Sequence, residues 1–145
     1  MNRNRMIWVA RHEGVLREIS RGVSCGDPEC VEQAARILSA FIPSGSTIVP
    51  TPSHIGYATT MLTLCRAVKA KCSRVRICDA LRCTPHESSH IVKLRHGVAP
   101  HTEMRKVKPV AEKPIIIDNV IASGVTANAA LNAIPDATVL AITKD

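Results

Sequence analysis

The sequence predicts an α/β protein: a single domain built on a parallel sheet with helices on both faces. Three observations predict it. Ile115, Ile116 and Ile117 form an unbroken β-branched run, the pattern of a central strand covered on both sides. Short apolar runs alternate along the chain with stretches of helical periodicity. The 145 residues suffice for one core, and no internal repeat, low-complexity tract or compositional break divides them.

Taken in order, Met6 to Ala10 reads as the first strand. Arg11 to Arg21 follows as a helix, with Val15, Leu16 and Ile19 at helical spacing. Cys25 to Glu29 reads as a turn in which Asp27 caps the next helix and Pro28 suits its first position. Val31, Ala34, Ala35 and Leu38 give that helix one apolar stripe, and Pro43-Ser44-Gly45 ends it. Thr47 to Val49 is the second strand. It runs into Pro50-Thr51-Pro52-Ser53-His54-Ile55-Gly56, a loop shaped by two prolines and a glycine. Ala58, Met61, Leu62, Cys65, Val68 and Cys72 mark one face of a third helix. Val75 to Ala80 is the third strand and delivers Leu81-Arg82-Cys83-Thr84. Pro85 to Lys113 shows no strong strand. Pro114 onward is the central strand, Ala127 to Ala133 a helix, and Ala137 to Thr143 the last strand.

Composition narrows the class. Hydrophobic residues make up 46% and aromatics 2%, so the core is aliphatic. Lys plus Arg outnumber Asp plus Glu by 19 to 12, a formal charge of +7, which suits an anionic ligand or nucleic acid. No apolar run approaches a membrane span, and the apolar part of MNRNRMIWVA is too short for a signal peptide. The expected location is cytoplasmic. The six cysteines, Cys25, Cys30, Cys65, Cys72, Cys78 and Cys83, include no CxxC pair. Reduced structural thiols are therefore the expectation, ahead of zinc ligands.

The chemistry concentrates in Pro114 to Asn128, PIIIDNVIASGVTAN. Asp118 and Asn119 follow the isoleucine run at the strand's carboxyl end, where open α/β sheets place their ligands. Ser123, Gly124, Val125 and Thr126 then form a loop of small and hydroxylated residues ahead of a helix. Such a loop aims backbone N–H groups and hydroxyls at one phosphate, helped by the positive helix end. An acid one loop away suits a sugar hydroxyl.

This order of apolar run, acid, polar residue, two apolar residues, two small residues, Gly, any residue and Thr resembles the PRPP-binding signature of type I phosphoribosyltransferases. Asp118 matches the first acid of that signature, and Asn119 departs from the second. Ala122 stands where Thr is frequent; Ser123, Gly124 and Thr126 match. Glu13 to Ile19, Val49-Pro50-Thr51-Pro52, Leu81 to Thr84 and Leu94-Arg95 resemble the competence-associated, ComF-type branch. These residues include no match to the amino-terminal zinc module common in that branch.

The resemblance implies a five-stranded parallel core that binds PRPP and Mg2+ at its strand ends. The reaction it implies would be transfer of ribose 5-phosphate to a nitrogenous acceptor with release of pyrophosphate. Asp118 and Asn119 would orient the ribose, and Ala122, Ser123, Gly124, Val125 and Thr126 would hold the 5-phosphate. Ser53, His54 and Gly56 would cradle pyrophosphate, with Arg82 adding charge. Thr84 to Lys108 would be a mobile cover, and a hood reading the base would come from Met1 to Gly22. A homodimer is implied as the assembly. Asn119 lacks the charge of the second acid, which points to reduced activity.

Two other readings stand beside the enzyme. One is a PRPP- or nucleotide-binding regulatory or DNA-uptake-associated module on the same fold that does not turn over. The other is a nucleic-acid contact through the basic run Arg105-Lys106-Val107-Lys108, although Trp8, Phe41 and Tyr57 are too few aromatics for a single-strand platform. His86 and His90 share a helix face if that segment is helical. With no third ligand they read as solvated loop histidines.

Overall fold

The computed structural model describes residues 5–86 and 103–145. Five strands form one parallel sheet: β1 (Met6–Arg11), β2 (Thr47–Pro50), β3 (Arg76–Ile77), β6 (Pro114–Ile121) and β7 (Thr138–Lys144), in the order β1-β7-β6-β2-β3. Every neighbouring pair is parallel. A separate antiparallel ribbon pairs β4 (Leu81–Cys83) with β5 (Met104–Lys106). Four helices are seen among the described residues: α1 (Gly14–Ser24), α2 (Pro28–Ser39), α3 (Thr60–Lys69) and α4 (Val125–Ala133).

The isoleucine run explains how the sheet is covered. Side chains alternate along a strand. Ile117 and Ile115 pack with Ile19, Leu38 and Leu64 beneath α1, α2 and α3. Ile116 packs the other way with Val49, Val139, Ala130 and Leu131 beneath α4. Helices therefore cover both faces, three on one and one on the other. The small residues of α4 let it lie close to the sheet; Ala127, Ala129, Ala130 and Leu131 are all buried.

Local signals set several boundaries. The Asp27 carboxylate accepts from the N–H groups of Glu29 at 2.9 Å and Cys30 at 3.3 Å, and Pro28 opens α2. Gly22 lets α2 approach α1: a Cβ there would sit 2.2 Å from Cys30 Sγ.

Three expectations change. The segment Met1 to Gly22 is not a separate hood. From Met6 onward it supplies β1, paired to β7, and most of α1, packed on the sheet; residues 1–4 lie outside the described part. The third strand is two residues long rather than Val75 to Ala80. As the edge strand it has one neighbour, and after the Cys78 N–H donates to Ile48 O at 2.9 Å the chain turns out of the sheet. The segment Pro85 to Lys113 does contain a strand, β5. Its short sequence Met-Arg-Lys carries no strand signal of its own, and pairing with β4 makes it one.

Candidate functional site

The strand order places a crevice between β2 and β6. From β2 the chain crosses to β3 on one side; from β6 it crosses to β7 on the other. Adjacent parallel strands whose connections diverge leave a gap beyond their carboxyl ends, where α/β sheets bind ligands. Register deepens it: β2 stops where Pro50 faces Ile117, while β6 continues beside β7 to Ile121. Asp118 is thus the first residue of β6 beyond its pairing with β2. Thr51 fastens the rim, its N–H and Oγ donating to Ile117 O at 3.1 and 2.7 Å.

A cavity of about 640 Å³ fills this crevice. Asp118, Asn119, Ala122, Ser123, Gly124, Val125 and Thr126 line one side, and Ser53 and His54 line the other. The apolar wall includes Met61, Cys83, Met104 and Val120. Nine of the eleven site residues expected from sequence therefore meet in one cavity. Gly56 and Arg82 do not line it.

The loop ahead of α4 presents a helix N-terminus to the cavity. Gly124 is its N-cap at φ +87, the left-handed region that glycine adopts freely. No side chain caps the helix. The Val125 N–H donates to Ser123 Oγ at 3.3 Å, and the Asn128 N–H to Gly124 O at 2.8 Å. Between them the first-turn amides of Thr126 and Ala127 have no carbonyl one turn earlier to bond. These amides and two hydroxyls flank the same cavity, at the positive end of the helix.

Asp118 is the only carboxylate lining the cavity among the described residues. Its pKa is pushed up from 3.8 to about 7 by burial, against which the Asn119 N–H, donating to Oδ1 at 2.8 Å, stabilises the ionised form. Asn119 faces the opposite side of β6, toward α1. Its Nδ2 donates to Ser24 Oγ at 2.5 Å and to Ser20 O at 3.3 Å, and Ser20 Oγ donates back to Asn119 O at 3.4 Å. The side-chain amide is thereby a clasp between β6 and α1. Ser24 reaches the cavity wall beside it.

The turn opposite is closed on itself. Ser53 N–H donates to Tyr57 O at 3.2 Å and Gly56 N–H to Ser53 O at 3.0 Å. Those two amides are engaged within the turn, which changes the expectation that each points at pyrophosphate. Gly56 has a packing role: φ is +106, and a Cβ would lie 2.8 Å from Cys83 O.

Arg82 lies on the other face of the β4–β5 ribbon. Alternation turns Cys83 and Met104 to the main cavity, while Arg82 and Arg105, directly opposite each other, line a neighbouring hollow. The Arg82 guanidinium grips both Asp79 carboxylate oxygens, Nη1 to Oδ1 at 2.9 Å and Nη2 to Oδ2 at 3.4 Å.

Among the described residues Asp118 is the one carboxylate that lines the cavity, and no group of three His, Cys, Asp or Glu residues stands together. His90, His96 and His101, and most of the expected cover from Thr84 to Lys108, including Lys93 and Arg95, lie outside the described residues. No described helix is long and apolar enough to cross a membrane. The thiols differ: Cys65 is raised well above its ordinary value by burial, while Cys25 is exposed.

No protein-family model matches the chain. No curated protein matches it either.

Sequence reasoning missed Ser24, Met104 and His86 as cavity residues. Ser20 and Ser24 stand four apart on a helix, which gives them a common face, but nothing in the sequence says that Asn119 is what they meet.

Proposed function

We propose that the crevice binds the ribose 5-phosphate part of PRPP and that the protein is a phosphoribosyltransferase. The single observation that carries this reading is one cavity at the switch point, with Asp118 on one rim and the Ser123–Thr126 loop at the start of α4. A phosphate fits the loop because free amides and the helix end favour negative charge. A sugar hydroxyl fits Asp118, whose ionised carboxylate accepts.

In the reaction, an acceptor nitrogen forms a bond to C1 of the ribose. The bond from C1 to the pyrophosphate oxygen breaks, and its electron pair leaves with pyrophosphate. Positive charge develops on the sugar, and an ionised Asp118 stabilises it at short range. Oriented binding of the 5-phosphate holds C1 in place. The apolar wall of Met61, Cys83, Met104 and Val120 limits water at the reacting carbon. Pyrophosphate release with PRPP and a panel of nitrogenous bases tests the reading. Release with at least one base is expected; the absence of both release and a thermal shift at millimolar PRPP refutes it.

A second reading, binding without turnover, is favoured by the clasp. Asn119 holds α1, and Arg82 holds Asp79 on the far side of the ribbon. A thermal shift with PRPP and no pyrophosphate release across the panel would select it.

A further inference from the structure

The hollow behind the Ser53–Tyr57 turn has a composition of its own. It measures about 450 Å³ and is lined by Ile55, Tyr57, Asp79, Arg82 and Arg105 among others. The β4–β5 register sets Arg82 directly opposite Arg105. Like charges directly opposite on a ribbon are unfavourable unless something neutralises them. Among the described residues one carboxylate, Asp79, lines the hollow, and it is already held by Arg82. Arg105 is exposed and makes no ion pair among the described residues. The hollow therefore carries two guanidinium groups against one acid, with an excess positive charge at Arg105.

Beside these charges lies an apolar edge. Tyr57 and Ile55 are 51% and 39% exposed, large side chains left open on a turn whose backbone is fixed by its own hydrogen bonds. Tyr57 is the chain's single tyrosine. Arg82 is also pre-set: its Nη1 donates to Asp79 Oδ1 and to Leu81 O at 2.8 Å. A rigid guanidinium, a second one unpaired across the ribbon, and an exposed aromatic ring together match a phosphate joined to a flat ring.

We propose that this hollow is a second ligand site that takes a nucleoside monophosphate, its phosphate on Arg105 and Arg82 and its base against Tyr57 and Ile55. The site is distinct from the main cavity, since Arg82, Arg105, Asp79 and Tyr57 line the hollow and not the cavity, while Met104 and Asp118 line the cavity and not the hollow. It stands whether or not the crevice turns over PRPP. The two spaces share Ile55 and Cys83 as lining, so they are neighbours across one turn.

Calorimetric titration of the full chain with AMP, ribose 5-phosphate and inorganic phosphate tests the proposal, using three variants. Arg105→Gln should weaken AMP binding at least tenfold and leave ribose 5-phosphate binding unchanged. Tyr57→Ala should weaken AMP binding and leave inorganic phosphate unchanged. Ser123→Asp, which places a negative charge on the loop before α4, should abolish ribose 5-phosphate binding and retain AMP. All three positions are exposed, and circular dichroism checks that each variant is folded. AMP binding lost in Ser123→Asp but kept in Arg105→Gln would assign the nucleotide to the main cavity and overturn the proposal. Equal affinity for AMP and inorganic phosphate, insensitive to Tyr57→Ala, would overturn the nucleotide class. Absence of AMP binding at millimolar concentration would overturn the site.

Discussion

At Asn119 a residue type that departs from an acidic signature has an architectural reason in the fold. A carboxylate there would lose the donor that meets Ser20 O at 3.3 Å and would set negative charge against that carbonyl. Asn119→Asp is therefore expected to loosen α1 rather than to restore an active acid. Thermal denaturation should show a loss of about 1–3 kcal/mol, and turnover with PRPP should not rise. A stable, more active Asn119→Asp protein would contradict the clasp. Asp118 gives a prediction in pH. Its folded pKa of about 7 lies above its ordinary 3.8. Between those values the folded chain holds a proton that the unfolded chain releases, so the group's contribution to stability falls as pH rises through that window. Above pH 7 the full burden of a buried charge remains. Asp118→Asn should raise the melting temperature at pH 8, by the equivalent of at most about 4 kcal/mol, and the gain should vanish near pH 4. The variant should also bind ribose 5-phosphate more weakly at pH 8. A pH-independent difference in melting temperature would place the carboxyl in water.

The elements legible in the sequence are those with a strong local pattern. The isoleucine run marked β6, Asp27-Pro28 marked the start of α2, and the small-residue loop marked α4. The weakly patterned pieces carry no such local signal. Arg76–Ile77 pairs with β2 over two residues before the chain leaves the sheet, and Met104–Lys106 becomes a strand only through pairing with Leu81–Cys83. The same limit applies to the site. Strand ends and glycine loops are local and legible, whereas the side of a ribbon on which Arg82 falls depends on a one-residue alternation that only register decides. Helix packing is equally non-local. At Gly22 an added methyl group meets Cys30 Sγ at 2.2 Å and Cys30 Cβ at 2.6 Å. Gly22→Ala should push α1 and α2 apart and destabilise the protein by about 1–3 kcal/mol, despite alanine's better helix propensity. Because α1 carries Ser20 and Ser24, the same change should weaken ribose 5-phosphate binding in calorimetry. An unchanged melting temperature would show that the helices accommodate the methyl group.

Across the whole molecule, the first strand and first helix join the two ends of the described chain to the crevice. β1 closes one edge of the sheet by pairing along β7, from Met6 with Val139 to Arg11 with Lys144. The His12 N–H donates to Lys144 O at 2.8 Å, and its ring Nδ1 lies 2.8 Å from Thr143 Oγ1. α1 then returns over the sheet, burying Ile19 and Val23 in the core, and ends at the Asn119 clasp. A hood that only read an acceptor would be dispensable for folding. This segment is core, so its removal has two separable consequences. A chain beginning at Glu13 loses the pairing that covers β7 and leaves that strand's edge open to other chains. It should melt lower than the full protein and self-associate, as measured by denaturation and light scattering. A chain beginning at Pro28 also loses α1. It exposes the apolar surface of α2 that α1 covers and frees Asn119, so it should lose cooperative unfolding altogether. A cooperatively folded chain beginning at Pro28 that still binds ribose 5-phosphate would show the amino-terminal segment to be an accessory after all.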